Sequence, residues 1–494
     1  MTVQPIGGEM PHWSDLDGTH GPAAAGGAAS RALLGAAAGR VLVAGPHDPE
    51  LIAALTVPGP TILVRGTADA SLLSARFPGA TICCGSLAKL AAAPAYDTVI
   101  ALDGLDRLGS PETADLTREE TLDRLLGLLR PGGRLMLAVE NPFGLHRLLA
   151  LPPAPADTEW VGPDDSWPVS PGRLRGRLAE AGVPVVREYA AYPGFRTPTA
   201  LLAAEVLTDP ALRGFLEATL TAVARPSPEL LADPARLVTG AVRHELAAAL
   251  APAWILLAGD LPAGPAALIA PPGVESGRPG ARAEPVVRDA GGRWTLGDRP
   301  LPLGRTLEDL VVAAGQRRDL PAVRDLLTAW QSGPAAGVPA GQVVVDAGGG
   351  HHGLVPAGEP VEALRRLAAT LIGAGLTHLW PSPAGEAALT ALLAGMTGRE
   401  LDPRDVPAAG PGVPRPDVGT VRELTMARDR LERELADARA RHEFYERQIA
   451  YRDEELKRVR KINAVLSATT PGKAVLGGLK AGRRAFRAVT RRGR

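Results

Sequence analysis

Five short apolar runs between Arg40 and Asn141 limit this chain's fold more than any other feature. They are Arg40-Val-Leu-Val-Ala-Gly45, Thr61-Ile-Leu-Val-Arg65, Ala80-Thr-Ile-Cys-Cys84, Thr98-Val-Ile-Ala-Leu102 and Arg134-Leu-Met-Leu-Ala-Val-Glu140, with helix-like segments between them. Runs that are apolar on both faces, rather than alternating, are what the central strands of a parallel sheet require. Each parallel pair needs a crossover, and right-handed crossovers stack into an open, doubly wound α/β sheet. Ligands of such sheets bind at the carboxyl ends of the strands. The site is therefore expected just after Ala44, Val64, Cys84, Leu102 and Glu140.

At 494 residues the chain is long enough for two to four folding units. Lys plus Arg and Asp plus Glu number 54 each, so no bulk attraction to nucleic acid or to an acidic substrate follows. Two adjacent cysteines, Cys83 and Cys84, cannot make an ordinary disulfide framework, which fits a reducing cytoplasm. The N-terminus shows no basic-then-apolar signal. The most apolar uncharged run, Leu246 to Gly259, is broken by Pro252 and is too short to span a bilayer. The 57 Gly and 47 Pro look like coding bias and weaken readings based on those residues alone.

Taken in order, residues 1–29 read as a loose Gly/Ala/Pro-rich arm. Residues 30–208 read as a doubly wound, mostly parallel sheet of seven strands. Ser170-Pro171 begins a helix that Gly182 ends. The runs Val183 to Ala190 and Thr199 to Val206 are separated by fewer residues than a parallel crossover needs, so they predict an antiparallel hairpin at one sheet edge. A mixed α+β region follows over 209–400. Its helices are expected at Ala211 to Ala224, Ser227 to Ala251, Thr306 to Ala314, Leu320 to Gln331, Glu359 to Ala374 and Pro383 to Gly395. Hairpins are expected around Gly291-Gly292 and at Asp346-Ala-Gly-Gly-Gly-His351-His352. Adjacent histidines on an extended segment point to opposite faces, so that second turn is not read as a metal site. No other metal or acyl-transfer motif occurs.

Several pieces resemble class I S-adenosylmethionine-dependent methyltransferases. Tyr96-Asp-Thr-Val-Ile-Ala-Leu-Asp-Gly-Leu-Asp-Arg-Leu108 resembles the family's fourth strand and the turn after it. Leu128-Leu-Arg-Pro-Gly-Gly-Arg-Leu-Met-Leu137 resembles its helix end, tight turn and fifth strand. Val139-Glu-Asn-Pro-Phe-Gly-Leu145 and Tyr192-Pro-Gly-Phe-Arg-Thr-Pro198 are similar to pieces of methyltransferases that accompany bacterial glycosyltransferases in surface-polysaccharide assembly. The resemblance covers about residues 29 to 207. It implies S-adenosylmethionine as cofactor and a small-molecule, glycan or secondary-metabolite acceptor. Gly45, His47, Asp48 and Ser86 would then lie at the cofactor, and Asp103 and Glu140 would be the acids able to deprotonate the acceptor.

Three loops depart from the family pattern. The Gly-rich loop after the first strand is reduced to Gly45-Pro46-His47-Asp48-Pro49. The acid that ends the second strand and takes the ribose hydroxyls is replaced by Arg65-Gly66. The acid near the adenine is replaced by Gly85-Ser86. Two readings stay open: the loops hold the cofactor in a variant way, or the fold persists as a structural module that binds none. Arg65 also admits a nucleotide bearing a 2′-phosphate, although the G-x-G-x-x-G turn such sites use is missing. The region 209–400 vaguely resembles the phosphotransferase-like half of longer relatives but lacks H-x-D and D-F-G, so no activity is carried over.

Residues 401–417 form a Pro-rich linker, and a heptad pattern begins after it. Val421, Arg428, Leu435, His442, Ile449, Leu456 and Asn463 fall at one seam position. Leu424, Leu431, Ala438, Tyr445, Arg452, Val459 and Leu466 fall at the other, which predicts a coiled coil over 418–470 and a homo-oligomer. The alternative is a single amphipathic helix folded back on the body. The tail 471–494 carries Lys473, Lys480, Arg483, Arg484, Arg487, Arg491, Arg492 and Arg494 and no acid. It suits an anionic membrane surface at the cytoplasmic face, although Gly477, Gly478 and Gly482 also suit a solvated tail. No aromatic platform accompanies this charge, which argues against nucleic acid.

Overall fold

The computed structural model describes residues 3–18, 21–113, 116–149, 170–224, 234–270, 282–380, 385–406, 418–468 and 477–483. Residues 1–415 form one compact unit and 416–494 a second.

The first unit is built on a thirteen-stranded sheet. Its strands are β1 (Val3–Gly7), β2 (Val41–Ala44), β3 (Thr61–Val64), β4 (Thr81–Gly85), β5 (Tyr96–Ala101), β6 (Leu129–Glu140), β7 (Val185–Tyr192), β8 (Ala200–Leu202), β9 (Ala253–Gly259), β10 (Ala267–Ile269), β11 (Glu284–Arg288), β12 (Trp294–Leu296) and β13 (Arg299–Pro300). Their order across the sheet is β1-β4-β3-β2-β5-β6-β9-β7-β8-β10-β11-β12-β13. From β1 to β6 every neighbouring pair is parallel. From β6 onward every pair is antiparallel.

The five apolar runs are β2 to β6, and alternate residues along each feed separate cores on the two faces. Leu42, Leu63, Cys83 and Val99 lie in one core, and Val43, Ile62, Cys84 and Ile100 in the other. The two cysteines are therefore buried on opposite faces, as the pleat demands of adjacent residues.

Five expectations change. The sheet has thirteen strands rather than seven. The hairpin forms, with Ala190 opposite Leu202, but it is not an edge. β9 inserts between β6 and β7, and β10 extends the sheet beyond β8. β9 comes from the apolar run Leu246 to Gly259, and its helix-like neighbour shrinks to Pro234–Arg243. The strand is buried on both faces, so it carries no alternation to separate it from a buried helix. The boundary expected at 208 is crossed by this sheet, which draws β9 to β13 from the region beyond it and β1 from the arm expected to be loose.

Residues 305–401 pack a separate core from the helices Leu307–Gln316, Leu320–Ser332, Pro360–Gly373 and Glu386–Met396 around Trp330. A small antiparallel sheet of β14 (Arg305–Thr306), β15 (Val343–Val345) and β16 (His351–Gly353) borders it. The turn Asp346 to Gly350 is a tight hairpin. Its Asp346 carboxylate accepts from the Gly348 and Gly350 amides and lies 2.6 Å from His352 Nε2. Among the described residues no side-chain cluster could hold a metal ion.

The second unit holds a continuous 51-residue helix, Val418–Ala468. Residues 477–483 are helical as well. The rest of the tail, and the linker over 407–417, lie outside the described residues. Among the described residues no helix is long and apolar enough to cross a membrane.

Candidate functional site

The carboxyl ends of β2, β3, β4 and β5 are where a doubly wound sheet binds its ligand, and here they meet the N-terminal segment. After β2, Gly45 turns the chain with φ +92 and His47 folds inward to 1% exposure. The imidazole bridges two strand ends: Nδ1 lies 3.0 Å from the Gly45 carbonyl, and Nε2 accepts the Leu102 amide at 3.1 Å. Those partners fix the neutral tautomer that carries its proton on Nδ1. Burial pushes the His47 pKa down, outweighing the Gly45 carbonyl and Asp103, which favour the charged form. Asp48 caps the next short helix, its Oδ1 accepting from the Glu50 amide at 2.7 Å, while its own amide donates to the Ala25 carbonyl at 2.7 Å.

At the end of β3 stands Arg65. Its Nε and Nη2 clamp Asp15 at 2.7 and 2.8 Å, and Nη1 donates to the Gly109 carbonyl. Asp15 is itself 2% exposed and also receives Trp13 Nε1 at 3.1 Å. Burial pushes the Asp15 carboxyl upward, but the Arg65 guanidinium and the Trp13 bond outweigh it and leave the pKa below the usual value. Ser14 Oγ and the Asp15 amide both donate to Asp69, at 2.5 and 2.8 Å. The backbones meet as well, with the Met10 amide on the Arg65 carbonyl and the Thr67 amide on the Met10 carbonyl. This approach needs glycine at position 66, because a Cβ there would lie 2.3 Å from the Trp13 carbonyl oxygen.

After β4 the arrangement repeats. The Ser86 amide donates to the Gly7 carbonyl at 3.0 Å, and a Cβ on Gly85 would lie 2.4 Å from that same oxygen. Ser86 Oγ is held by the Ala88 amide and the Thr113 hydroxyl. After β5, Asp103 is 2% exposed and faces Arg107, whose Nε and Nη2 donate to its two oxygens at 2.7 and 2.5 Å. Arg196 Nε lies 3.5 Å from it. The remaining Arg107 donors reach back to the carbonyls of Asp15, Pro22 and Ala23. Arg107 thus pins the N-terminal segment to the β5 turn.

Glu140 ends β6 apart from this network. Its carboxylate accepts Arg147 Nε and Nη2 at 3.0 Å each and lies 2.9 Å from His146 Nε2. Burial raises the Glu140 pKa, yet the bonds from His146 and Arg147 outweigh that and hold it at about 2. Asn141 uses its amide to fasten the Ala249 and Ala251 carbonyls, both at 2.8 Å, ahead of β9.

The loops expected at the strand ends are present, and the structure gives their side chains internal partners. His47, Asp48, Ser86 and Asp103 converge at one end of the sheet, and Glu140 stands in its own cluster. The residues that organise the site, Asp15, Arg107, Ser14 and Asp69, were missed. The only trace of them in the sequence is an acid in a Gly/Ala/Pro-rich arm and an arginine four residues after Asp103.

These residues do not fit S-adenosylmethionine. Ribose hydroxyls need an acceptor at the end of β3, and Arg65 offers only donors, already directed to Asp15 and the Gly109 carbonyl. The amides of Gly45, Ser86 and Leu102 that could face a ligand donate to Leu63, Gly7 and His47. Space remains to one side, in a cavity of about 490 Å³ lined by Arg65, Leu87, Leu105, Asp106, Ser110 and Arg118 among others.

The segment β4-β3-β2-β5-β6-β9-β7, with β9 alone running against its neighbours, has the form of a class I methyltransferase sheet. No protein-family model and no curated protein matches the chain. Among solved structures, a Burkholderia thailandensis 1,6-didemethyltoxoflavin-N1-methyltransferase with bound S-adenosylhomocysteine is similar at 18% identity and TM-score 0.23, covering 34% of this chain and 72% of that one. The CcbJ methyltransferase from Streptomyces caelestis is similar at 15% identity and TM-score 0.26, covering 47% and 94%. Likeness at this level carries no argument about activity, which rests on the site itself.

Proposed function

We propose that this chain is a methyltransferase-fold protein that works without S-adenosylmethionine, as a non-catalytic scaffold. In this reading it associates with its own copies through 421–466 and rests on an anionic membrane face through 471–494. The observation that carries it is the seat of residues 7–18 and 21–26 across the ends of β2, β3, β4 and β5, locked by the Asp15 carboxylate between Arg65 and Arg107. A buried carboxylate with two guanidinium partners is costly to break, because either side left alone becomes an unpaired buried charge. Both acids suited to acceptor deprotonation are likewise held by arginine, Asp103 by Arg107 and Glu140 by Arg147.

A second reading is an S-adenosylmethionine-dependent methyltransferase acting on a glycan or secondary-metabolite acceptor. The cavity beside Arg65 favours it, since that space adjoins the usual cofactor position. It requires residues 10–18 and 21–26 to leave the strand ends. Calorimetric titration of the full chain with S-adenosylmethionine and S-adenosylhomocysteine separates the two. The scaffold reading expects no heat and no change in melting temperature at millimolar ligand, for the native chain and for Asp15→Ala. Saturable binding by either protein would overturn it and restore the enzyme.

A further inference from the structure

We infer that two copies of the helix Val418–Ala468 pair parallel and in register, so that both chains run in the same direction along one seam. This rests on the proposal that the chain self-associates through this helix and goes beyond it by fixing orientation and strand number. The helix is continuous over 51 residues, and Leu435, Ile449, Leu456 and Val459, all seam residues, are each more than half exposed. A stripe of this kind needs a covering surface.

The charges beside the seam choose the occupant. With Val421 and every seventh residue after it at position a, the e positions are Thr425, Glu432, Arg439, Glu446, Asp453 and Arg460. The g positions are Ala427, Glu434, Arg441, Gln448, Glu455 and Ile462. In a parallel pair each g residue meets the e residue five places further along the other chain. That juxtaposes Glu434 with Arg439, Arg441 with Glu446 and Glu455 with Arg460, each occurring twice by symmetry, and it brings no like charges together. In an antiparallel pair of full overlap, g meets g and e meets e. Glu434 then faces Glu455, and Glu432 faces Asp453. Only Arg439 with Glu446 is favourable there. A second copy in parallel is thus the partner whose charges match along the helix.

The seam agrees in one respect and resists in another. Asn463 at an a position meets its own copy, a pairing that fixes register in two-stranded parallel coils. Arg428 and Arg452 also meet their own copies, which lowers stability. Register is then set by polar layers and affinity by the leucine, isoleucine and valine layers.

Sedimentation of the full chain, followed by oxidation of a Leu456→Cys variant, tests this. Cys83 and Cys84 are buried, so a new thiol at the seam is read separately. The expected result is twice the chain mass, with Leu456→Cys joining into a covalent dimer. Glu455→Lys should weaken the dimer roughly tenfold, and Glu455→Lys with Arg460→Glu should restore it. A single-chain mass would overturn self-association itself. A double mass with no Leu456→Cys link, but with a link between Leu435→Cys and Arg452→Cys chains when mixed, would leave self-association standing and overturn the parallel orientation. A triple or quadruple mass would overturn the strand number.

Discussion

His47 and Glu140 are titratable side chains whose hydrogen-bond partners lie within the fold. His47 fills a strand-end gap as a neutral ring with a donor and an acceptor both matched, and Glu140 is held ionised by a guanidinium and an imidazole. Each makes stability depend on pH in the same direction. Burial lowers the His47 pKa, so below the usual 6.5 the unfolded chain takes up the proton first and stability falls. Glu140 is depressed from 4.5 to about 2, so its contribution is complete above about 4.5 and disappears as pH falls toward 2. Glu140→Gln should therefore lose about 1–2 kcal/mol at neutral pH, a figure reduced for solvent screening because the Arg147 side chain is 56% exposed. Urea denaturation of both proteins across the acid range should show the two curves converging. A constant gap down to pH about 2 would mean the carboxylate is not held by its ion pairs. His47→Ala should cost about 2–4 kcal/mol, because it leaves the Leu102 amide without its acceptor and opens a cavity in a packed core. An equal melting temperature for His47→Ala would remove the structural role given to that ring.

At the scale of elements, the N-terminal segment is held by two buried acids, Asp15 and Asp69, by Arg107 and by close backbone contacts, so single substitutions can loosen it. Asp15→Ala strands Arg65 and leaves Arg107 with Asp103 alone, so a loss of about 3 kcal/mol is expected. Gly66→Ala probes the same contact differently. Residue 66 has an ordinary extended backbone, φ −83 and ψ 132, so alanine strains nothing locally and acts through the Trp13 carbonyl it would strike. Both variants should expose residues 10–18 and 21–26 to limited proteolysis while β2 to β6 stay protected, and protection equal to the native chain would refute the latch. This segment was illegible in the sequence for a physical reason: its hold depends on backbone carbonyls and on single charged residues far apart in the chain, and neither leaves a periodic trace. β9 escaped for another reason, since Ala253–Gly259 is apolar throughout and follows Pro252, and a buried strand and a buried helix then read alike. By contrast β2 to β6, the hairpin of β7 and β8, the turn at Gly291-Gly292 and the helices of the later core were legible, because turn residues flank runs of clear length and period. The loops at the strand ends were legible from the strands alone. Their partners were not, because Asp15 and Arg107 are 92 residues apart and meet only through the fold.

At the scale of the whole molecule, the long helix and the basic tail have consequences that depend on each other. Five seam side chains, Leu431, Leu435, Ile449, Leu456 and Val459, would each contribute roughly 1.5 to 3 kcal/mol on burial before side-chain entropy is subtracted. That is enough to join chains at micromolar concentration. A chain ending at Pro416 should therefore scatter light as a monomer where the full chain does not, and equal monomer masses would sink self-association. If the chains run parallel, both tails leave the same end of the pair. Each tail carries eight basic residues and no acid. Near an anionic surface each basic residue contributes roughly 1 kcal/mol, a term that salt screens within about 8 Å at physiological ionic strength. Two tails on one rigid rod then bind with avidity that a single tail lacks. Flotation with phosphatidylserine-containing vesicles should carry the full chain upward at low salt and release it at high salt, while phosphatidylcholine vesicles should carry none. A chain ending at Thr470 should stay at the bottom in every case. Leu435→Asp with Leu456→Asp, which leaves the tail intact but breaks the seam, should bind at least tenfold more weakly than the native chain. Equal binding by that variant would show that one tail suffices, and equal binding by the chain ending at Thr470 would take the membrane role away from the tail.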